Sequence, residues 1–174
     1  MKYLITLMLL CVTLPATEIP LTPQNTEVTF KVRHLFISTV KGRFTRLHGR
    51  CDIEKERLKM LFGSVEVASI TTGSEKRDTH LVSEAFFDAA RYPRMSLQLK
   101  SVDGDRAVAA LTIRQTTHDL PLKIDKQAGT ILLTGKISRK AYGLVWGKAV
   151  EATGAVVGDT VRIAISITPG VGGD

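Results

Sequence analysis

The sequence predicts an all-β fold with one or two short helices, arranged as an antiparallel β-barrel of about eight strands. Three observations predict it. Apolar and polar side chains alternate with period two along most of the chain, which marks strands with one dry and one wet face. Turn-forming residues separate the runs, as in Asp103-Gly104-Asp105, Lys126 to Gly129 and Gly158-Asp159. The chain has 174 residues, 44% of them apolar and 24% charged, which suits one well-cored domain.

The elements follow in order. Val28, Phe30 and Val32 alternate with Thr29, Lys31 and Arg33, and Val40, Gly42 and Phe44 with Lys41, Arg43 and Thr45. Leu47, Gly49, Cys51 and Ile53 share one parity, and Leu58, Met60 and Phe62 are expected on one face of the next strand. Met95, Leu97 and Leu99 alternate with Ser96, Gln98 and Lys100, and Ala109, Leu111 and Ile113 face one way against Thr112 and Arg114. Leu120, Leu122 and Ile124 bracket Lys123; Ile131, Leu133 and Ile137 continue the series; Val161, Ile163, Ile165 and Ile167 close it. About nine strand candidates result, and so many half-apolar strands in one domain must curl, because open edges invite aggregation.

Two stretches break the pattern. Residues 69–93 read as a loop and one or two short helices ended by Tyr92-Pro93, and residues 138–157 hold Gly143, Gly147, Gly154 and the single tryptophan, Trp146. Long irregular segments in a compact domain commonly serve as lids or binding loops.

Residues 1–16 read as a secretory signal: Lys2, then an apolar run from Tyr3 to Leu14, then Pro15-Ala16. A cut after Ala16 leaves one domain over residues 17–174 and places the protein outside the cytoplasm. Leu10 before Cys11 does not suit a lipoprotein signal. With Cys11 removed, Cys51 stands alone and no intrachain disulfide can form, so the core must hold the fold. Cys51 reads as a small buried hydrophobe.

The usual catalytic motifs are absent: no His-Glu-x-x-His, no Cys-x-x-Cys, no Gly-x-Ser-x-Gly, no phosphate loop and no dinucleotide fingerprint. The four histidines show no ligand-pair spacing, so neither a metal nor a cofactor is expected. The formal charge is +7. Six bases and no acid lie between Lys31 and Arg50, and Lys31, Arg33, Lys41 and Arg43 share the wet parity of two adjacent strands. That face suits transient contact with an anionic membrane surface or a phosphate-bearing ligand, or it keeps an edge soluble. No aromatic interleaves there as a stacking platform, so nucleic acid is not an expected partner.

The run Val28-Thr-Phe-Lys-Val-Arg-His-Leu35, with Ser38, Val40 and Gly42-Arg43-Phe44, resembles the opening of the YceI-like polyisoprenoid-binding family. So do Ser69-Ile-Thr-Thr-Gly73, Arg77-Asp78, His80-Leu81, Phe86-Phe87-Asp88 and Tyr92-Pro93. Leu111-Thr112-Ile113, Thr117-His118, Ser138-Arg139, Tyr142-Gly143-Leu144 and Gly158-Asp159 follow in family order. Gln115 and Phe36 depart from it, standing where the family commonly has glycine. The resemblance implies a lipocalin-like barrel and a periplasmic, non-catalytic carrier or sequestering protein. Its ligand would be a long isoprenoid lipid, such as a polyprenyl quinone or polyprenyl phosphate.

The residue pattern accommodates that implication, since a barrel of about eight strands has room for one slim ligand. Phe30, Val32, Phe44, Leu97, Leu99, Leu111, Ile113, Ile131, Leu133, Ile163 and Ile165 are the inward candidates for an apolar cavity, with Trp146 from the second irregular segment. Each five-carbon isoprene unit offers roughly 3–4 kcal/mol of gross burial, so a tail alone can hold the ligand. Arg77, Asp78, His80, Arg139 and Tyr142, in the two irregular segments, are the candidates for a polar mouth. An isoprenoid lipid is the expected partner, and a homodimer is left open. The alternative is a solid barrel, a stress-response or adhesion module that binds protein or glycan through its basic outer face.

Overall fold

A computed structural model of the protein describes residues 18–34, 38–146 and 157–170. Residues 1–16, read from the sequence as a secretory signal, together with Phe36 and residues 147–156 of the glycine-rich segment, lie outside the described residues. The strands are β1 (Glu18–Leu21), β2 (Thr26–His34), β3 (Ser38–Phe44), β4 (Leu47–Glu54), β5 (Arg57–Glu66), β6 (Ile70–Thr71), β7 (Arg94–Asp103), β8 (Arg106–Ile113), β9 (Thr116–Gln127), β10 (Thr130–Ser138) and β11 (Val157–Ile167). One α-helix, α1 (Glu75–Val82), and two single 3₁₀ turns at Val67–Ser69 and Lys140–Tyr142 complete them.

All eleven strands form one antiparallel sheet in the order β1-β4-β5-β7-β8-β9-β10-β11-β2-β3-β6. The sheet curls around an apolar interior, the barrel-like class that the alternation predicts. Among the described residues it has eleven strands, not about eight. Nine of them carry the alternating runs, and the additional two, β1 and β6, are edge strands of four and two residues, too short to show a period.

One strand face also differs from expectation. A bulge in the β4–β5 pairing, where Asp52 opposes Met60 and Ile53 opposes Leu58, leaves Lys59 without an opposite residue. The parity of β5 inverts there, so Leu61 is buried and Phe62 is 41% exposed. The expected set of Leu58, Met60 and Phe62 therefore does not share a face. By contrast, Cys51 packs in the core with no exposed surface, and burial first, then the Asp52 charge, pushes its thiol up to about 11.

Two buried polar residues join the sheet's ends without a ladder. Asn25 Nδ2 donates to Pro20 O of β1 at 2.8 Å, and its carbonyl accepts from Thr168 N, just beyond β11, at 2.8 Å. Asn25 Oδ1 accepts from Thr22 N at 2.9 Å and Thr26 Oγ1 at 2.8 Å. At the β3–β4 corner, Ser69 O accepts from Thr45 N, and Ser69 Oγ accepts from Arg46 N, both at 3.1 Å.

Close backbone approach at the β4–β5 pair requires glycine on one side only. A Cβ on Gly49 would lie 2.2 Å from the Phe62 carbonyl oxygen, whereas one on its partner Gly63 would meet only the end of Leu21, at 3.6 Å. Gly49→Ala is therefore expected to lose about 1–3 kcal/mol. Gly63→Ala is expected to leave the thermal midpoint unchanged or slightly raised; paired thermal melts measure both.

Candidate functional site

Residues of nine strands, β1 to β5, β7, β8, β10 and β11, line a cavity with about 1190 Å³ of atom-free space, the open mouth included. Cross-strand register builds its wall: Ile163 of β11 opposes Phe30 of β2, which opposes Gly42 of β3. The Phe30 ring covers Gly42 so closely that a Cβ there would lie 2.2 Å from it. Of the described lining residues, Arg139 alone is a lysine, arginine, aspartate or glutamate.

Phe30, Val32, Phe44, Leu97, Leu111, Ile113, Trp146, Ile163 and Ile165 all line this cavity. Ile131 and Leu133 are buried in the core, and Leu99 packs against it, but these three are not part of the lining. Leu99 stands where the β7–β8 register shifts. Phe86, Phe87, Met95, Leu144 and Val157 also line the space. Sequence reasoning missed Phe86, Phe87, Leu144 and Val157 because they lie in or beside the segments without alternation, where parity assigns no face.

The two irregular segments meet over the cavity through an aromatic cluster. Trp146 stacks on His80, with ring centroids 4.7 Å apart and planes 9° from parallel. Phe86 lies 5.1 Å from Trp146 and 4.9 Å from Phe87. His80 Nε2 and Trp146 Nε1 are both buried without a hydrogen-bond partner among the described residues. A buried donor left unmatched costs about 1–3 kcal/mol; Trp146 lines the cavity, whereas His80 is not part of the lining.

The other four polar candidates spend their side-chain groups on the protein itself. Asp78 accepts from Thr72 N at 3.0 Å and from the Thr72 hydroxyl, while Arg77 donates to Thr72 Oγ1 at 2.7 Å and Thr72 O at 3.0 Å. Together they anchor the start of α1, whose Ser74 N-cap makes no side-chain bond. Arg139 is 4% exposed. Its guanidinium donates to Leu144 O at 2.6 Å, Val157 O at 3.1 Å and Gly158 O at 3.3 Å, clamping both flanks of residues 145–156.

Asp159 beside it accepts from Ser138 Oγ at 2.7 Å and Lys140 N at 3.0 Å. Burial pushes that carboxyl up, but the two hydrogen bonds and the Arg139 and Lys140 charges outweigh it, leaving the group below its ordinary range. Tyr142 is buried, which raises its phenol. Its hydroxyl reaches Leu111 O at 3.5 Å, and its ring meets His118 edge-on at 5.0 Å.

The β8–β9 turn needs no glycine at Gln115, because the left-handed residue is Arg114, with φ 55°. Among the described residues, no three His, Cys, Asp or Glu side chains group to hold a metal, and no helix is long and apolar enough to cross a membrane.

Comparison with known proteins bears on this arrangement. A YceI-like domain model matches residues 20–168. A UPF0312 protein of Staphylococcus epidermidis is 28% identical over 155 residues, covering 82% of this chain and 91% of the relative. The crystal structure of the Campylobacter jejuni YCEI protein is similar at 27% identity and a TM-score of 0.64, covering 79% of this chain and 88% of that one. A polyisoprenoid binding domain from Saccharophagus degradans shares the fold, with 16% identity, a TM-score of 0.58 and coverage of 83% and 94%.

If Arg139 is the clamp, Arg139→Met strands three carbonyl oxygens and is expected to cost about 3 kcal/mol or more. The corresponding fall in thermal midpoint is roughly 6–12 °C, measurable by calorimetry.

Proposed function

The chain belongs to the YceI-like domain family, and on that premise we propose that it is a non-catalytic binding protein that holds one isoprenoid lipid in its cavity. The supporting observation is the cavity wall: apolar side chains from nine strands enclose open space, and the arginine among the described lining residues is occupied by backbone carbonyls. A long hydrocarbon tail gains by leaving water for such a space and needs no directional bond. The open interior also weighs against a solid barrel that acts only through its outer face. That a neighbour of the same fold is a polyisoprenoid binding domain supports the choice of tail.

The head group then falls beside the stacked His80 and Trp146. Trp146 Nε1 can only donate, and His80 Nε2 donates or accepts according to its tautomer. An oxygen acceptor, as on a quinone carbonyl or a phosphate, matches that inventory. The lysine and apolar run at residues 2–14 support export, which puts the carrier in the periplasm, where it would transport, store or sequester the lipid. His48 Nε2 and Ser64 Oγ lie 2.8 Å apart in the cavity lining, but among the described lining residues no carboxylate stands by to orient the imidazole.

Mass spectrometry of the organic extract of protein purified from its native source is expected to find a near-stoichiometric isoprenoid. An empty extract, and no uptake on incubation with polyprenyl quinone or polyprenyl phosphate, would overturn the reading. Trp146→Phe keeps the ring and removes the donor, so it is expected to weaken binding of a prenyl quinone about tenfold while leaving binding of the bare hydrocarbon unchanged.

A further inference from the structure

Register places four bases in a straight row across four neighbouring strands on the outer face. Lys136 of β10 opposes Arg162 of β11, Arg162 opposes Lys31 of β2, and Lys31 opposes Lys41 of β3. All four are exposed. Directly opposed residues lie about 5 Å apart, so the row is about 14 Å long. Like charges facing each other across strands destabilise a sheet, and here three consecutive facing pairs do so.

Elsewhere on the outer face one directly opposed like-charge pair, Arg106 and Lys123, stands alone and Asp125 offsets it, and five bases are neutralised by acids. Arg46 is paired with Glu66, Arg50 with Glu18, Lys59 with Glu54, Lys100 with Asp119 and Lys123 with Asp125. Among the described residues, no base of the row makes an ion pair. Arg33 adds a fifth base to the groove that these residues line, and the groove's single acid, Asp159, is already held by Ser138 and the Lys140 amide.

The groove is also joined to the cavity. Val32 lines both, and Gly158 of the groove follows Val157 of the cavity wall, at the bulge where the β11–β2 register shifts between Val157 and Val161. Behind the charged row, one residue inward, Ile137 opposes Val161, which opposes Val32. The cationic surface and the apolar chamber are thus two faces of one wall.

From this we infer that the Lys136–Arg162–Lys31–Lys41 row docks the protein on an anionic phospholipid surface and brings the cavity beside the bilayer. Several charges side by side match a plane of phosphate head groups better than one small anion. The groove presents valine, threonine and glycine between its bases, with no aromatic ring for a nucleobase. That docking serves lipid exchange rests on the proposed function; the docking itself does not.

The test is co-sedimentation of the full chain with phosphatidylcholine vesicles, with and without 30 mol% phosphatidylglycerol. Each base near an anionic surface contributes about fivefold in partition. The protein is expected to favour the anionic vesicles by tenfold or more at low salt, and raised salt is expected to remove the preference. Lys31→Glu with Arg162→Glu should abolish it. Lys59→Glu with Lys100→Glu, which changes net charge equally at paired sites, should leave most of it.

Residues 3–14 are present in every variant, so any insertion of that apolar run cancels. Equal loss in both double variants, or no preference for the anionic vesicles, would overturn the inference. Retention on heparin without vesicle binding would overturn it too, in favour of an acidic glycan. Circular dichroism confirms that each variant folds, and the lipid extract of each, read separately, reports the cavity.

Discussion

The structure depends on one constraint: a strand that alternates apolar and polar residues can bury only one face, so a sheet of such strands must bend its dry face onto itself. That bend creates an interior whose size is set by the side chains that point inward. Phe30 over Gly42 illustrates how it is shaped, since a ring from one strand fills the space that its glycine neighbour vacates. The remaining volume is apolar because the same parity that makes the core makes the cavity wall. Core and site are therefore one feature here, and substitutions that alter one alter the other.

Two local devices make that curl hold. The sheet does not close as a ladder, and Asn25 and Ser69 supply side-chain and carbonyl groups where its ends meet. At the other irregular region, Arg139 spends its donors on three carbonyls and fixes the flanks of the segment that carries Trp146. Thr72, held by Arg77 and Asp78, fixes the start of α1, which carries His80. The His80–Trp146 stack thus rests on two independent anchors, which hold two buried nitrogens that have no partner among the described residues.

Much of this was legible in the sequence. The nine alternating runs correspond to nine strands because inward and outward residues differ in polarity at each step. β1 and β6 were not legible, being short edge strands, one of which contains Pro20. The inversion within β5 was hidden because Leu61 and Phe62 are both apolar, so a bulge at Lys59 leaves no mark on the pattern. For the site, parity nominated Phe30, Leu111 and Ile163, but it could not separate residues lining open space from Ile131 and Leu133, which fill the core. Arg139 read as a mouth residue because its acceptors are backbone carbonyls, which no side-chain pattern displays.

The central claim is that burial of a hydrocarbon tail in this chamber holds the ligand. Trp146, the chain's one tryptophan, lies on the cavity wall and gives a direct signal. Its fluorescence should be titrated with prenyl quinones that share one head group and differ by single isoprene units. Allowing for the ordering cost of the tail, affinity should rise about tenfold or more per added unit until the chamber is full, then level off. Affinity that is independent of tail length would contradict the account.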